Sequence, residues 1–193
     1  IAEVGRGATI NPDFCVPQGL HEELATRFGR WPTKRLPSEG QISHGMRILT
    51  EYVIPERRPK VALFWSNEPD SSQHEAGVGS QLGVKALEVA DREFGGLVDW
   101  LEKTGRDADT DVIVGSDHGY ATAKSVVDVN GLIAEAGFSS GGHPGSVVIA
   151  SSGGSELFYV KDRDRAVADR LAAWLMDQPW CGSLVSSRDV GDI

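Results

Sequence analysis

The apolar positions of the chain fall into two kinds of run. Val61-Ala62-Leu63-Phe64-Trp65 and Val112-Ile113-Val114 are short and unbroken, bounded by turn formers. Each leads into a polar loop, the pattern of a strand covered on both faces. Elsewhere the apolar residues recur three and four apart. Ile42, Met46, Leu49 and Val53 form one helical stripe, with Ser38 and Gln41 in capping-box positions before it and Pro55 at its exit. Leu87, Ala90, Phe94, Leu97 and Leu101 form a longer stripe that predicts a helix from Gln81 to Thr104, ended by Gly105. Gly95-Gly96 inside it weakens the helix and is read as allowing close packing. This strand–helix–strand order predicts a right-handed βαβ unit with parallel strands. Further along, the pattern predicts a short helix over Val129–Ala136 and a hairpin of 147–150 with 157–160 around Ser151-Ser152-Gly153-Gly154. A helix capped by Asp162 then runs to Asp177 on Val167, Leu171, Trp174 and Leu175, and Leu184-Val185 opens another strand. Residues 1–37 are the least regular, with one short helix around His21–Phe28. The whole reads as one α/β domain over residues 1–193.

Both unbroken runs end in an acid and an imidazole. After the first come Asp70 and His74; after the second, Asp117 and His118 between Gly115 and Gly119. Taken alone, Asp117-His118 serves a metal, an acid–base relay or a structural hydrogen bond. Asp70 and His74 taken alone read as an Asx-type turn beside an exposed histidine. Taken together they read differently. Carboxylate oxygen and imidazole nitrogen both suit Zn²⁺ and its first-row neighbours. Ligands in parallel α/β sheets lie beyond the carboxyl ends of the strands, so the two pairs are expected to face one pocket. Other polar residues read more plainly. Asn67 and Glu68 shape the loop, and Ser116 supports a ligand or is a simple buried serine. His21, His44 and His143 read as surface residues, and Lys124 as half of an exposed ion pair rather than a phosphate contact.

Composition narrows the partners. The chain has 193 residues, 40% apolar and 24% charged, which suits a soluble globular domain with a real core. Its 28 acids against 19 Lys and Arg leave a net charge of −9. That argues against a nucleic-acid polymer or an anionic membrane surface as partner. It still permits small phosphate substrates, because bound cations reverse the local field. No apolar run approaches the roughly 20 residues of a membrane span. The chain opens on Ile1 without a secretory signal, so its compartment stays open. Cys15 and Cys181 have no metal-type spacing and read as free thiols.

Glu68-Pro69-Asp70, His74 and Ser116-Asp117-His118-Gly119-Tyr120, in this order after two strands, resemble the alkaline phosphatase superfamily, and within it the type I phosphodiesterase/nucleotide pyrophosphatase branch. The resemblance spans roughly residues 60–190. It departs from the family at Gln73, where many relatives have Gly, and at Gly77-Val78-Gly79-Ser80, where they often have Gly-Pro. The resemblance implies a three-layer, mostly parallel sheet flanked by helices, present here incomplete. It implies two divalent metal ions, zinc by donor type, with Asp70 and His74 on one and Asp117 and His118 on the other. It implies hydrolysis of phosphodiester or pyrophosphate bonds in a small phosphate-ester or nucleotide substrate. A sister activity on phosphomonoesters, phosphonates or sulfate esters, or a non-catalytic α/β binding module, remains as the alternative. Family members also use a Thr or Ser nucleophile. Thr9, Thr26 and Thr33 stand in no nucleophile motif, so that residue and some metal ligands are expected outside this chain, leaving it an inactive piece of a longer hydrolase.

Overall fold

The structure is a computed structural model, and it describes residues 7–186. The chain divides after Thr122 into two compact units.

In the first unit, β1 (Thr9–Ile10) pairs antiparallel with β2 (Cys15–Val16), and α1 (Leu20–Phe28) follows. Leu20, Leu24 and Phe28 lie on one face of α1 and bury against Cys15, Ile48 and Tyr52. α2 (Glu39–Ile48) opens at Ser38, but no capping box forms there. The Ser38 hydroxyl instead accepts from Asn67 Nδ2 at 3.2 Å, and the Gln41 side chain donates to the Pro32 carbonyl at 3.1 Å. Nor does Pro55 end the helix: the chain continues from Leu49 to Arg57 as a wider π-helix with Pro55 inside it. It stops at Arg58, whose φ of 49° is left-handed.

His44 departs from its expected exposure. It is 8% exposed, with its ring centroid 4.7 Å from that of Trp31 and its Nε2 without a hydrogen-bond partner. The stripe reading missed it because α2 is covered on a second side by the Trp31 segment. Burial first, and then the charge of Arg47, hold the His44 pKa below its ordinary 6.5. The unfolded chain therefore takes up the proton first as the pH falls. His44 contributes stability that is complete above about 6.5 and is lost as pH drops through the lower folded-state value. A urea midpoint lower at pH 5.5 than at pH 7.5 is expected, with that difference shrinking in His44→Gln.

α3 (Asp70–Ala76) and α4 (Gln81–Lys103) complete this unit. The Ser80 hydroxyl caps α4 by accepting from the Gly83 N–H at 3.0 Å. α4 packs on both α2 and α3, burying Gly83, Ala86, Val89 and Leu101, while Leu87 of the expected stripe is exposed. Close packing is not the role of Gly95 and Gly96, because a Cβ at either would meet nothing within 4 Å. Gly95→Ala and Gly96→Ala are each expected to raise thermal stability, by up to about 1 kcal/mol.

The expected parallel strands differ most. Among the described residues, the only sheets are two antiparallel pairs. Residues 61–67 and 111–116 carry no ladder, and Val61, Leu63 and Ile113 are 85%, 82% and 93% exposed. Their β-branched and aromatic pattern predicts burial on both faces, but a ladder exists only against a neighbouring strand, and none among the described residues flanks either segment. One residue of the first run is anchored. Phe64 lies so close to α2 that a Cβ on Gly45 would come within 2.9 Å of its ring.

In the second unit, the Asp128 carboxylate caps α5 (Val129–Glu135) through the Gly131 N–H. β3 (Val147–Ser152) and β4 (Ser155–Val160) form the expected hairpin, turning at Gly153, whose φ is 62°. α6 (Arg165–Met176) is capped by Asp164, not Asp162, which sits at φ 58° in a short 3₁₀ turn. Val129, Ile133, Phe138, Val147, Leu171 and Leu175 form this unit's core. Leu184-Val185 forms no strand. Cys15 and Cys181 are free thiols, the first buried and the second half-buried.

Candidate metal centre

The site is built on two segments of the first unit. Asp70 is the first residue of α3 and His74 stands one turn later, so both project from one helix face. Asp117, His118 and Tyr120 lie in the irregular stretch after Val114, which bends at Asp117. The two segments meet at one oxygen. His74 Nε2 lies 3.3 Å from Asp70 Oδ1, and His118 Nε2 lies 3.6 Å from the same atom. Asp117 Oδ2 is 3.8 Å from His118 Nε2. Tyr120, to which the motif alone attached no role, donates its hydroxyl to Asp70 Oδ1 at 3.0 Å. Its ring stands edge-on to both imidazoles, with centroids 5.1 Å from His118 and 6.4 Å from His74.

The donor chemistry suits a divalent cation. Around a tetrahedral ion bound at about 2.0–2.2 Å, neighbouring ligand atoms stand about 3.3–3.6 Å apart; the 3.3 Å between His74 Nε2 and Asp70 Oδ1 falls in that range, and the 3.8 Å between His118 Nε2 and Asp117 Oδ2 is longer. The His118 ring is also oriented for ligation. With Nδ1–H donating to the Gly119 carbonyl at 3.0 Å, the lone pair falls on Nε2, the nitrogen that faces Asp70. Among the described residues, no group of three or more His, Cys, Asp and Glu side chains is arranged to hold a metal ion.

The site is open and acidic. The His74 side chain is 72% exposed, and those of Asp70, His118 and Asp117 are roughly half exposed. Burial, then the hydrogen bond to Asp70, and then the charges of Asp70, Asp117 and Glu68 push the Tyr120 pKa up to about 12. Tyr120 therefore remains a protonated donor throughout the physiological range. A cavity of about 350 Å³ lies among Pro32, Thr33, Arg35, Pro37, Ser38, Gly40 and Gln41, and none of the four candidate ligands lines it.

The remaining polar residues behave mostly as plain surface or loop groups. Ser116 is exposed and donates to the His118 carbonyl, shaping the loop. His143 is exposed in the second unit, with Nδ1 3.2 Å from the Pro144 carbonyl. His21 is half-buried, its Nδ1 3.9 Å from the Cys15 thiol. Lys124 is exposed and makes no ion pair among the described residues.

Comparison with known proteins agrees with the family resemblance. Residues 7–180 match the family described as type I phosphodiesterase / nucleotide pyrophosphatase. Ectonucleotide pyrophosphatase/phosphodiesterase family member 1 of Mus musculus is 42% identical over 114 residues, covering 51% of this chain and 13% of that protein. Venom phosphodiesterase 2 of Crotalus adamanteus is 30% identical over 98 residues, covering 47% of this chain and 12% of its own length. Venom phosphodiesterase of Naja atra is also 30% identical over 98 residues, covering 47% of this chain and 11% of that protein. The matched stretch is thus a small part of each relative. No solved structure gives a significant match. A family match over most of the chain means that the chain belongs to the type I phosphodiesterase/nucleotide pyrophosphatase family.

Proposed function

We propose that this chain carries part of a two-metal centre for hydrolysis of phosphodiester or pyrophosphate bonds in a small nucleotide-like substrate. The observation that carries the reading is the meeting of the two loops, with His74 and His118 both within 3.6 Å of Asp70 Oδ1. Asp70 and His74 would hold one divalent ion, zinc by donor type, and Asp117 and His118 its neighbour. Such ions neutralise the phosphate oxygens and activate the attacking oxygen. Three contacts support this reading. Asp70 places an oxygen between the two imidazoles, Tyr120 fixes the rotation of that carboxylate, and the Gly119 carbonyl sets the His118 tautomer. The acidic surroundings favour cations and repel free phosphate, so substrate capture depends on the metal. Catalytic zinc usually keeps three protein ligands, and the proposed set among the described residues supplies two per ion. The chain alone is therefore expected to hold metal weakly and to turn over no phosphodiester.

A second reading, a non-catalytic member that keeps the loops as a binding module, draws on the absence, among the described residues, of three or more His, Cys, Asp and Glu side chains arranged to hold a metal ion. Bis-p-nitrophenyl phosphate turnover and zinc content of the whole protein, beside Asp117→Ala and His74→Ala, separate the two. The hydrolase reading expects about two zinc ions per chain and loss of turnover in both variants. Unchanged turnover in either variant contradicts it.

A further inference from the structure

The carboxylate of Glu68 is 3% exposed, the most deeply buried acid near the site. Its two oxygens are divided between two elements. Oε1 accepts the Ser38 N–H at 2.9 Å, and Oε2 accepts the Ser72 N–H at 3.0 Å. Ser38 is the residue before α2, and Ser72 lies in the first turn of α3, between Asp70 and His74. Both serines are almost fully buried. Around this link the loop is bound to itself. The Glu68 N–H donates to Ser66 Oγ at 3.1 Å, and Ser66 Oγ donates to the Glu68 carbonyl at 2.8 Å. Asn67 Nδ2 donates to Ser38 Oγ at 3.2 Å.

α3 has seven residues, too few to be stable by itself, and Pro69 at its N-cap offers no side-chain acceptor. The charge-assisted bond from Ser72 therefore supplies the missing cap, and the anion sits favourably at the positive end of the helix. The bond from Ser38 fixes where that cap stands, because α2 is held by the first unit's core through Ile48. Two N–H donors need two acceptor oxygens, and a carboxylate provides both without a competing donor of its own.

We infer that Glu68 is a positioning residue: its buried carboxylate ties the start of α2 to the first turn of α3 and so sets the placement of Asp70 and His74. It is not itself a ligand. The inference rests on the metal reading only for its effect on ion binding; the positioning of α3 stands apart from it.

The test uses Glu68→Gln and Glu68→Ala in the whole protein, with Co²⁺ as a spectroscopic probe and amide hydrogen exchange as a metal-free one. Gln keeps one carbonyl acceptor but presents an NH₂ to the other N–H, so only one of the two links survives. Weakening of Co²⁺ binding by about 10- to 100-fold is expected, with a changed visible spectrum, since outer residues orient metal ligands. Faster exchange is expected at the Ser38 and Ser72 amides in Glu68→Ala and at one of the two in Glu68→Gln, with α1 amides unchanged. An unaltered Co²⁺ spectrum and affinity, together with unaltered exchange at both amides, overturns the inference. Failure of the unsubstituted protein to bind Co²⁺ contradicts the metal reading alone, and the exchange result then decides the role of Glu68. Should Glu68→Ala fail to fold, Glu68→Gln carries both measurements.

Discussion

Asp70→Ala is expected to lower divalent-metal affinity by more than about 100-fold, beyond the 10- to 100-fold typical of losing an outer-shell partner. The reason is its position. Asp70 Oδ1 is the one atom that His74, His118 and Tyr120 all approach, at 3.3, 3.6 and 3.0 Å. Removing it deletes a proposed ligand and leaves the Tyr120 hydroxyl without its acceptor. Asp70→Asn is the sharper variant, because it keeps the shape and an oxygen but removes the charge that offsets a cation. Competition titration with a chromogenic chelator reads both. Near-wild-type affinity in Asp70→Ala means that metal binds elsewhere or through other groups.

Leu24→Ala is expected to cost about 2–5 kcal/mol in unfolding free energy, read by urea denaturation. Leu24 is 3% exposed in the middle of α1, enclosed by Cys15, Leu20, Phe28, Ile48 and Tyr52. The helices around it are held by several contacts each, so the space left by the side chain closes only in part. Val61→Ala makes the contrast. Val61 is 85% exposed, and its truncation should stay within about 0.5 kcal/mol despite the larger strand propensity of valine. Equal costs at the two positions would mean that 61–65 is buried in solution.

Helix positions and the chemical constellation were legible in the sequence, because both depend on local pattern. The apolar spacing of α4 and the Gly-Gly turn between β3 and β4 act over a few residues, and each element formed within one or two residues of its expected bounds. The acid–imidazole pairs were visible as types and order. What failed depended on distant neighbours. His44 looks like a surface residue until Trp31 is placed against it. Ser38 has the right letter for a capping box, but Glu68, 30 residues away, takes its N–H. The apolar runs at 61–65 and 112–114 have strand composition, yet a ladder needs a partner that composition does not specify. Tyr120 was in view as part of the motif; only its distance to Asp70 revealed its role.

The central claim is that the Asp70/His74 and Asp117/His118 loops together hold a pair of divalent ions. Anomalous diffraction at the zinc edge, from crystals of the whole protein grown with excess zinc, tests it most directly. Two peaks are expected, one against Asp70 and His74 and one against Asp117 and His118. Zinc bound only at other side chains, with these four contacting one another and no ion, would contradict it.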